Sequence, residues 1–346
     1  MSSDPPSKRR VGIVAACTVV ALAVAIVCGL VIGPTSIPTW RVVGDIFAHV
    51  GVGHDTLTST QSTVVWTLRA PRMVIGLLAG SMLAVAGGTY QGVFRNPLAD
   101  PYLLGVASGA GLGATFAIID ISHGNATPTW TPLLAFVGAL GAVAVTWLIG
   151  GRSMRANTAT LILAGVAVAS LLTSAQTFLL QQSNAESITL VYLWLLGTLS
   201  NAGWSTVWLV LPYVIVCIIV CVGAGRALDV MSVGEEESRS LGVPVRRVRF
   251  IVIAASSLGT AAIVSAVGLI GFVGIIVPHI VRLLVGTSYR RILPISVVFG
   301  AAFLVFADTV ARTVIAPSEL PLGVVTALIG APVFVIILSL RRPVAV

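Results

Sequence analysis

Charge is scarce in this sequence: only 9% of its 346 residues are Asp, Glu, Lys or Arg, where a soluble domain carries about 25%. Cysteine and histidine are equally sparse, four of each. Cys17, Cys28, Cys217 and Cys221 all lie inside apolar runs, so neither a disulfide framework nor a metal site is implied; Cys217 and Cys221 share a helix face without His or carboxylate partners. No apolar run has an acidic residue near its middle, and His279, after Pro278, is the one histidine within a run. Proton-coupled carriers need an ionisable relay inside the membrane, which disfavours that class. Also missing are a G-x-x-x-x-G-K-[ST] phosphate loop, an H-E-x-x-H pair and a G-x-S-x-G elbow. Chemistry and energy must come from elsewhere.

What is present is apolar sequence, 57% hydrophobic, in runs of nearly 20 residues. A bilayer-spanning helix needs about 20 such residues, whereas a β-barrel would show alternating segments of about ten. The runs place crossings near 11–33, 73–94, 103–120, 131–149, 158–180, 205–224, 250–269, 271–288, 293–311 and 321–340. Val191–Leu196 is too short to span and reads as a partial or surface helix. The first run follows Lys8, Arg9 and Arg10 and lacks a small-x-small cleavage site, so it reads as a retained helix and not a signal peptide.

The stretch from Phe250 to Thr287 could cross once or twice. With two crossings and the N-terminus inside, 16 of the 20 basic residues lie on the inner side, leaving Arg41, Arg69, Arg72 and Arg312 outside. One crossing would move Arg290, Arg291, Arg341 and Arg342 outward, against the positive-inside bias. Ten crossings with both termini cytoplasmic follow. The net charge of +8 is therefore topological and carries no nucleic-acid reading.

Between the crossings, several segments ask for an explanation. The inner segment 225–249 contains Glu235, Glu236 and Glu237 followed by Arg239, the pattern of a short surface helix stopped by Gly242 and Pro244; a solvated loop is the plainer alternative. In Arg95-Asn-Pro-Leu-Ala-Asp-Pro-Tyr102, Asp100 reads as an N-cap and Pro101 as the first helical position, while Asn96 and Leu98 are not needed as caps. Gly105, Gly109 and Gly113 give overlapping G-x-x-x-G spacings suited to close helix packing. Arg69 and Arg72 ask for an anionic partner or for interfacial snorkelling. Arg312 lies one turn from Asp308, where a local ion pair accounts for it. Asp100-Pro-Tyr-Leu-Leu-Gly-Val106 faintly echoes Glu319-Leu-Pro-Leu-Gly-Val324, a hint of inverted repeats.

Leu68-Arg-Ala-Pro-Arg72, Gln91-Gly-Val-Phe-Arg-Asn-Pro-Leu-Ala-Asp-Pro101, Leu104-Gly-Val, Gly271-Phe-Val-Gly-Ile-Ile-Val-Pro-His-Ile-Val-Arg282 and Glu319-Leu-Pro-Leu-Gly-Val-Val-Thr-Ala-Leu-Ile-Gly-Ala-Pro332 together resemble the signature blocks of FecCD-type ABC importer permeases. That family takes up iron-siderophores, haem and vitamin B12. The resemblance runs from the second crossing onward; the first 60 residues match only in pattern.

The resemblance implies an all-α integral membrane protein with ten transmembrane helices in the type II ABC importer architecture, a single permease domain over 1–346. It implies no enzyme activity and no cofactor on this chain, ATP and Mg belonging to the partner ATPase. A second permease copy, two cytoplasmic ABC ATPase subunits, an extracytoplasmic binding protein and the lipid bilayer are the implied partners, in the cytoplasmic membrane of a prokaryote. By motif position, Arg69, Arg72 and Arg312 would dock the binding protein. Asn96, Leu98, Asn157 and Thr158 would form the cytoplasmic gate. Glu235, Glu236, Ser240, Leu241, Gly242 and Val243 would couple to the ATPase. A ferric siderophore is the cargo that family frequency favours, with cobalamin or haem as alternatives. A secondary transporter remains the more remote reading, and a scaffold or channel explains composition alone.

Overall fold

A computed structural model of the chain describes residues 7–33, 35, 37–49, 51, 54–121, 130–150 and 158–340. The described residues form fifteen α-helices: α1 Lys8–Val31, α2 Thr39–His49, α3 Ser59–Ser62, α4 Ala70–Phe94, α5 Val106–Phe116, α6 Thr131–Gly150, α7 Thr158–Gln181 and α8 Ala185–Leu195, then α9 Trp204–Gly223, α10 Gly225–Met231, α11 Glu235–Ser240, α12 Val245–Val267, α13 Val273–Val285, α14 Tyr289–Thr313 and α15 Leu322–Leu340. Seven are long and apolar enough to cross a membrane. Each of the ten apolar runs corresponds to a helix, and the stretch from Phe250 divides into α12 and α13.

α4 is the centre of the bundle and is buried along nearly its whole length. Its small residues allow this. A Cβ on Gly80 would sit 2.1 Å from the Gly300 carbonyl of α14, and one on Gly87 would sit 1.9 Å from the Gly274 carbonyl of α13. Lipid is as apolar as the core, so close backbone contact and dispersion, not water exclusion, hold such helices together. The Gly105-Gly109-Gly113 spacing acts likewise against α6, where Cβ atoms on Gly109 and Gly113 would meet the Gly138 and Leu134 carbonyls at 2.2 and 2.1 Å.

Two of the shorter helices, α5 and α13, are interrupted crossings. α13 has 13 residues and spans about 20 Å, less than the roughly 30 Å hydrocarbon core. It follows a break in which Gly268 and Phe272 both have positive φ. α5 starts later than the sequence predicts: Gly105 occupies its N-cap position, with φ +85°. Asp100 instead accepts from the Tyr102 N–H at 2.8 Å within a turn, which corrects its assignment as the helix cap. Backbone polar groups freed by these breaks must be satisfied inside the protein. They pair with one another: Thr198 N–H with Val267 O (2.8 Å), Leu322 N–H with Gly197 O (3.0 Å) and Gly323 N–H with Leu196 O (3.0 Å). The Tyr102 hydroxyl donates to Ile270 O at 3.0 Å. The two echoing segments therefore meet at one junction, where Tyr102, Gly323 and Val324 line an apolar cleft with Leu269 and Gly271.

One end of the bundle carries the end of α1, the starts of α4 and α15 and the end of α14. The opposite end carries α10, α11 and the starts of α12 and α14. The first end also exposes Trp40, Trp130, Trp204 and Trp208, the amphipathic rings that settle at a membrane interface.

Candidate docking, gate and coupling sites

Before α4, α3 runs into a π-helical segment, Thr63–Arg69. Pro71 has no N–H to offer the preceding turn, and the Ala70 N–H bonds back five residues to Val65 O. The widened turn leaves the Trp66 carbonyl to accept from the Trp204 indole N–H at 2.9 Å. It also turns Arg69 and Arg72 inward. Arg69 is 5% exposed and donates to Leu30 O, Val31 O and Thr35 O at 2.8, 2.7 and 2.6 Å. Arg312, 4% exposed, donates to Gly29 O at 3.0 Å. The two guanidinium groups thus satisfy the last carbonyls of α1 and oppose the negative end of its dipole.

Arg72 faces two carboxylates. Its Nη2 lies 2.7 Å from Asp308 Oδ1, its Nε lies 3.0 and 3.1 Å from the two Asp308 oxygens, and Glu319 takes a second pair of bonds at 2.9 Å each. Asp308 is shared, because Arg312 Nε approaches its Oδ2 at 3.2 Å. The acidic partners that the position of these arginines called for therefore come from within the chain. Only Arg72, whose side chain is 12% exposed, and Glu319, at 31%, reach the surface.

At the other end α4 stops at Arg95, whose φ of 49° is left-handed. Asn96 and Leu98 are both exposed on the following turn, and Asn96 Oδ1 accepts the Leu98 N–H at 2.9 Å. The side chain of Asn96 thus closes its own turn and leaves the apolar side chain of Leu98 at the tip. Thr158 is the first residue of α7; Asn157 lies outside the described residues. On α7, Ala167 and Thr173 are exposed and Ala164 is buried.

The segment 225–249 is compactly folded. α10 and α11 are joined by Ser238, whose hydroxyl bonds Val230 O at 2.9 Å and also Gly234 O. Glu235 ties α11 to itself through Arg239 (2.8 Å) and to α12 through Arg249 (3.1 Å). Burial opposes ionisation of Glu235, but the bond from Arg249 and the charges of both arginines outweigh it and hold the carboxyl below its ordinary range. α11 ends at Ser240, and Gly242 turns the chain at φ +79°, as the charge pattern and Gly242 predict. Glu236, Ser240, Leu241 and Gly242 are exposed and Val243 is half-buried. Val233 and Leu241 present bare apolar surface, 68% and 67% exposed.

Residues 21–340 match the sequence profile of the FecCD transport family. The chain belongs to that family. Among its FecCD relatives is an ABC transporter permease protein, YvrB, of Bacillus subtilis, 40% identical over 92% of this chain and 90% of the relative. The cobalamin import system permease protein BtuC of Halobacterium salinarum is 44% identical, covering 82% of this chain and 75% of its own length. The hemin transport system permease protein HmuU of Yersinia pestis is 36% identical over 82% and 86%. A solved metal-chelate type ABC transporter in an inward-facing conformation superposes with a TM-score of 0.82 at 28% identity, over 94% of this chain and 98% of that one. The chain is a multi-pass permease of an ABC importer.

Sequence reasoning missed three residues that matter to these sites. Asp308 was paired only with Arg312, its neighbour one turn away, and its stronger link to Arg72 crosses 236 positions. Glu319 was noticed for its place in an echo and not for its charge. Asp229, the sole acidic residue between Gly203 and Gly234, passed as loop.

Proposed function

We propose that the chain is the membrane subunit through which an ABC importer moves a bulky chelate, a ferric siderophore in the first instance, into the cytoplasm of a prokaryote. In this reading two copies of the chain surround the pathway, both termini are cytoplasmic, and ATP with Mg is bound and hydrolysed on separate subunits docked at 225–249. The observation that carries it is the loop itself: a chain without a nucleotide-binding motif folds 25 cytoplasmic residues into a braced unit presenting Val233 and Leu241. A braced helix can move as a rigid body in response to a partner, which a loose loop cannot.

An extracytoplasmic binding protein docks at the opposite end. Arg72 makes that contact through its exposed edge, with Arg69 and Arg312 holding α1 behind it. Electrostatic docking of this kind tunes association and its salt dependence. Asn96, Leu98, Asn157 and Thr158 close the cytoplasmic mouth. Cobalamin and haem are the competing cargoes, favoured by the relatives named for cobalamin and hemin transport.

The deciding experiment reconstitutes the chain with its ATPase in liposomes and follows labelled ferric siderophore, cobalamin and haem delivered by the binding protein. ATP-dependent accumulation of one cargo supports the reading and names the cargo. Uptake driven by an ion gradient without ATP would overturn it. For docking, Arg72→Glu should weaken binding-protein affinity at low salt while the ATPase still co-purifies; unchanged affinity in an Arg69→Glu, Arg72→Glu double variant would remove these residues from the contact.

A further inference from the structure

The cytoplasmic loop meets the start of α14 at a part-buried polar joint. α14 begins at Tyr289, and its N-cap residue Ser288 makes no side-chain bond to its own helix. The cap comes from α10 instead. Asp229 accepts the Tyr289 N–H on Oδ1 at 2.5 Å and the Ser288 hydroxyl on Oδ2 at 2.7 Å. A carboxylate at a helix N-terminus satisfies an orphan donor and complements the dipole, and here it does so from another element. The backbones are pressed together at the same place, since a Cβ on Gly225 would lie 3.2 Å from the Cα of Arg290. Tyr289 is held in turn by Arg282 of α13, whose Nη2 lies 3.3 Å from its hydroxyl and 2.8 Å from Gln91 Oε1 of α4.

From this joint α14 runs 25 residues, about 37 Å at 1.5 Å per residue, without a break to Asp308 and Arg312. One helix therefore joins the loop end to the Arg72–Asp308–Glu319 cluster. It is packed against α4 through the Gly80–Gly300 contact.

We propose that Asp229 is the joint through which displacement of the 225–249 unit is passed to α14, and along it to the end that carries Arg72. The inference rests on the coupling reading of that loop. Asp229 is a positioning residue: it touches no cargo and no nucleotide, and it acts by making α10 and the start of α14 move as one body.

A purely structural cap and a transmitting joint are separable, because α14 can be capped from its own chain. Asp229→Ala should leave the ATPase subunits bound and hydrolysing ATP while uptake falls about tenfold or more. Asp229→Asn, which keeps an acceptor for the Tyr289 N–H, should stay within about threefold of wild type. Ser288→Asp, added to Asp229→Ala, supplies an N-cap in place; it should restore the thermal midpoint lost in the single variant without restoring uptake. Recovery of uptake in the Ser288→Asp double variant would overturn the proposal, as would wild-type uptake in Asp229→Ala. Loss of ATPase binding in Asp229→Ala would overturn it too, making Asp229 a builder of the loop. Absence of ATP-driven uptake in the wild-type complex would strike the coupling reading itself, whereas uncoupling confined to the Asp229 variants bears on this joint alone.

Discussion

Arg69, Arg72 and Arg312 are tolerated in the interior because each meets a defined set of acceptors. Arg69 and Arg312 spend their donors on the end of α1, and Arg72 spends its on two carboxylates. Asp308 is the hub, facing two arginines at 4% side-chain exposure. Removing one partner of a buried pair costs about 3–5 kcal/mol, whereas an exposed pair contributes about 0–1 kcal/mol. Asp308→Ala should therefore lower the thermal midpoint in detergent far more than Glu319→Ala, whose side chain is 31% exposed. Equal losses would mean that Asp308 is not the hub. Glu235 makes a second, pH-dependent prediction. Its folded carboxyl titrates below the ordinary value of about 4.3, so its contribution is present above that value and lost as the pH falls through the depressed one. The stability gap between wild type and Glu235→Gln, under about 1 kcal/mol for so exposed a pair, should be seen at pH 7 and close in acid; a gap that widens in acid would contradict the assignment.

Helices in this protein are positioned by what their small residues permit. Gly109 and Gly138 bring α5 and α6 within backbone contact, and no side chain larger than hydrogen fits between a carbonyl and a Cβ 2.2 Å away. Gly109→Val should separate α5 from α6 and cost more than about 3 kcal/mol, read as loss of monodisperse protein after extraction. Gly141, on α6 with open space around it, should accept valine at little cost, and equal damage at both positions would refute the packing argument. α11 depends on a different glycine. Gly242 holds φ +79°, a value proline cannot adopt because its ring fixes φ near −65°. Gly242→Pro is expected to disorganise the loop and uncouple hydrolysis from uptake, and wild-type ATP-driven transport in that variant would count against the coupling role. Alanine there costs only about 1 kcal/mol of backbone strain and should retain coupling.

Transport asks more of this architecture than a stable bundle. The interrupted crossings α5 and α13, with the end of the short helix α8, place irregular backbone at the junction of Tyr102, Gly197, Ile270 and Gly323, where polar groups pair across elements, the kind of interior that alternating access exploits. α14 gives the molecule a continuous strut from the loop to the Arg72 cluster. The inner gate makes the corresponding prediction for two copies. Cysteines at position 98, which is 43% exposed, should cross-link between protomers in one nucleotide state more than in another, and the cross-link should stop transport. Equal cross-linking in all states, or none, would return Asn96 and Leu98 to the turn they close.

The ten apolar runs were legible in the sequence because a stretch of about 20 apolar residues bounded by charge is a local condition. Two crossings after Phe250 followed from charge, and the short helix at Glu235 followed from charge order and Gly242. The helix α2 has no counterpart among the apolar runs because its 11 residues are too few to form one, and its partners on α1 and the Val65 segment lie in separate stretches. The start of α5 at Val106 was displaced from the capping signal at Asp100 because Pro101 packs against Gly274 of α13. Which carboxylate faces Arg72, and which helix Asp229 caps, were decided only by the tertiary structure. Those pairs lie 236 and 60 positions apart, and a charge reads its partner through space, where the chain order that local patterns depend on has no bearing.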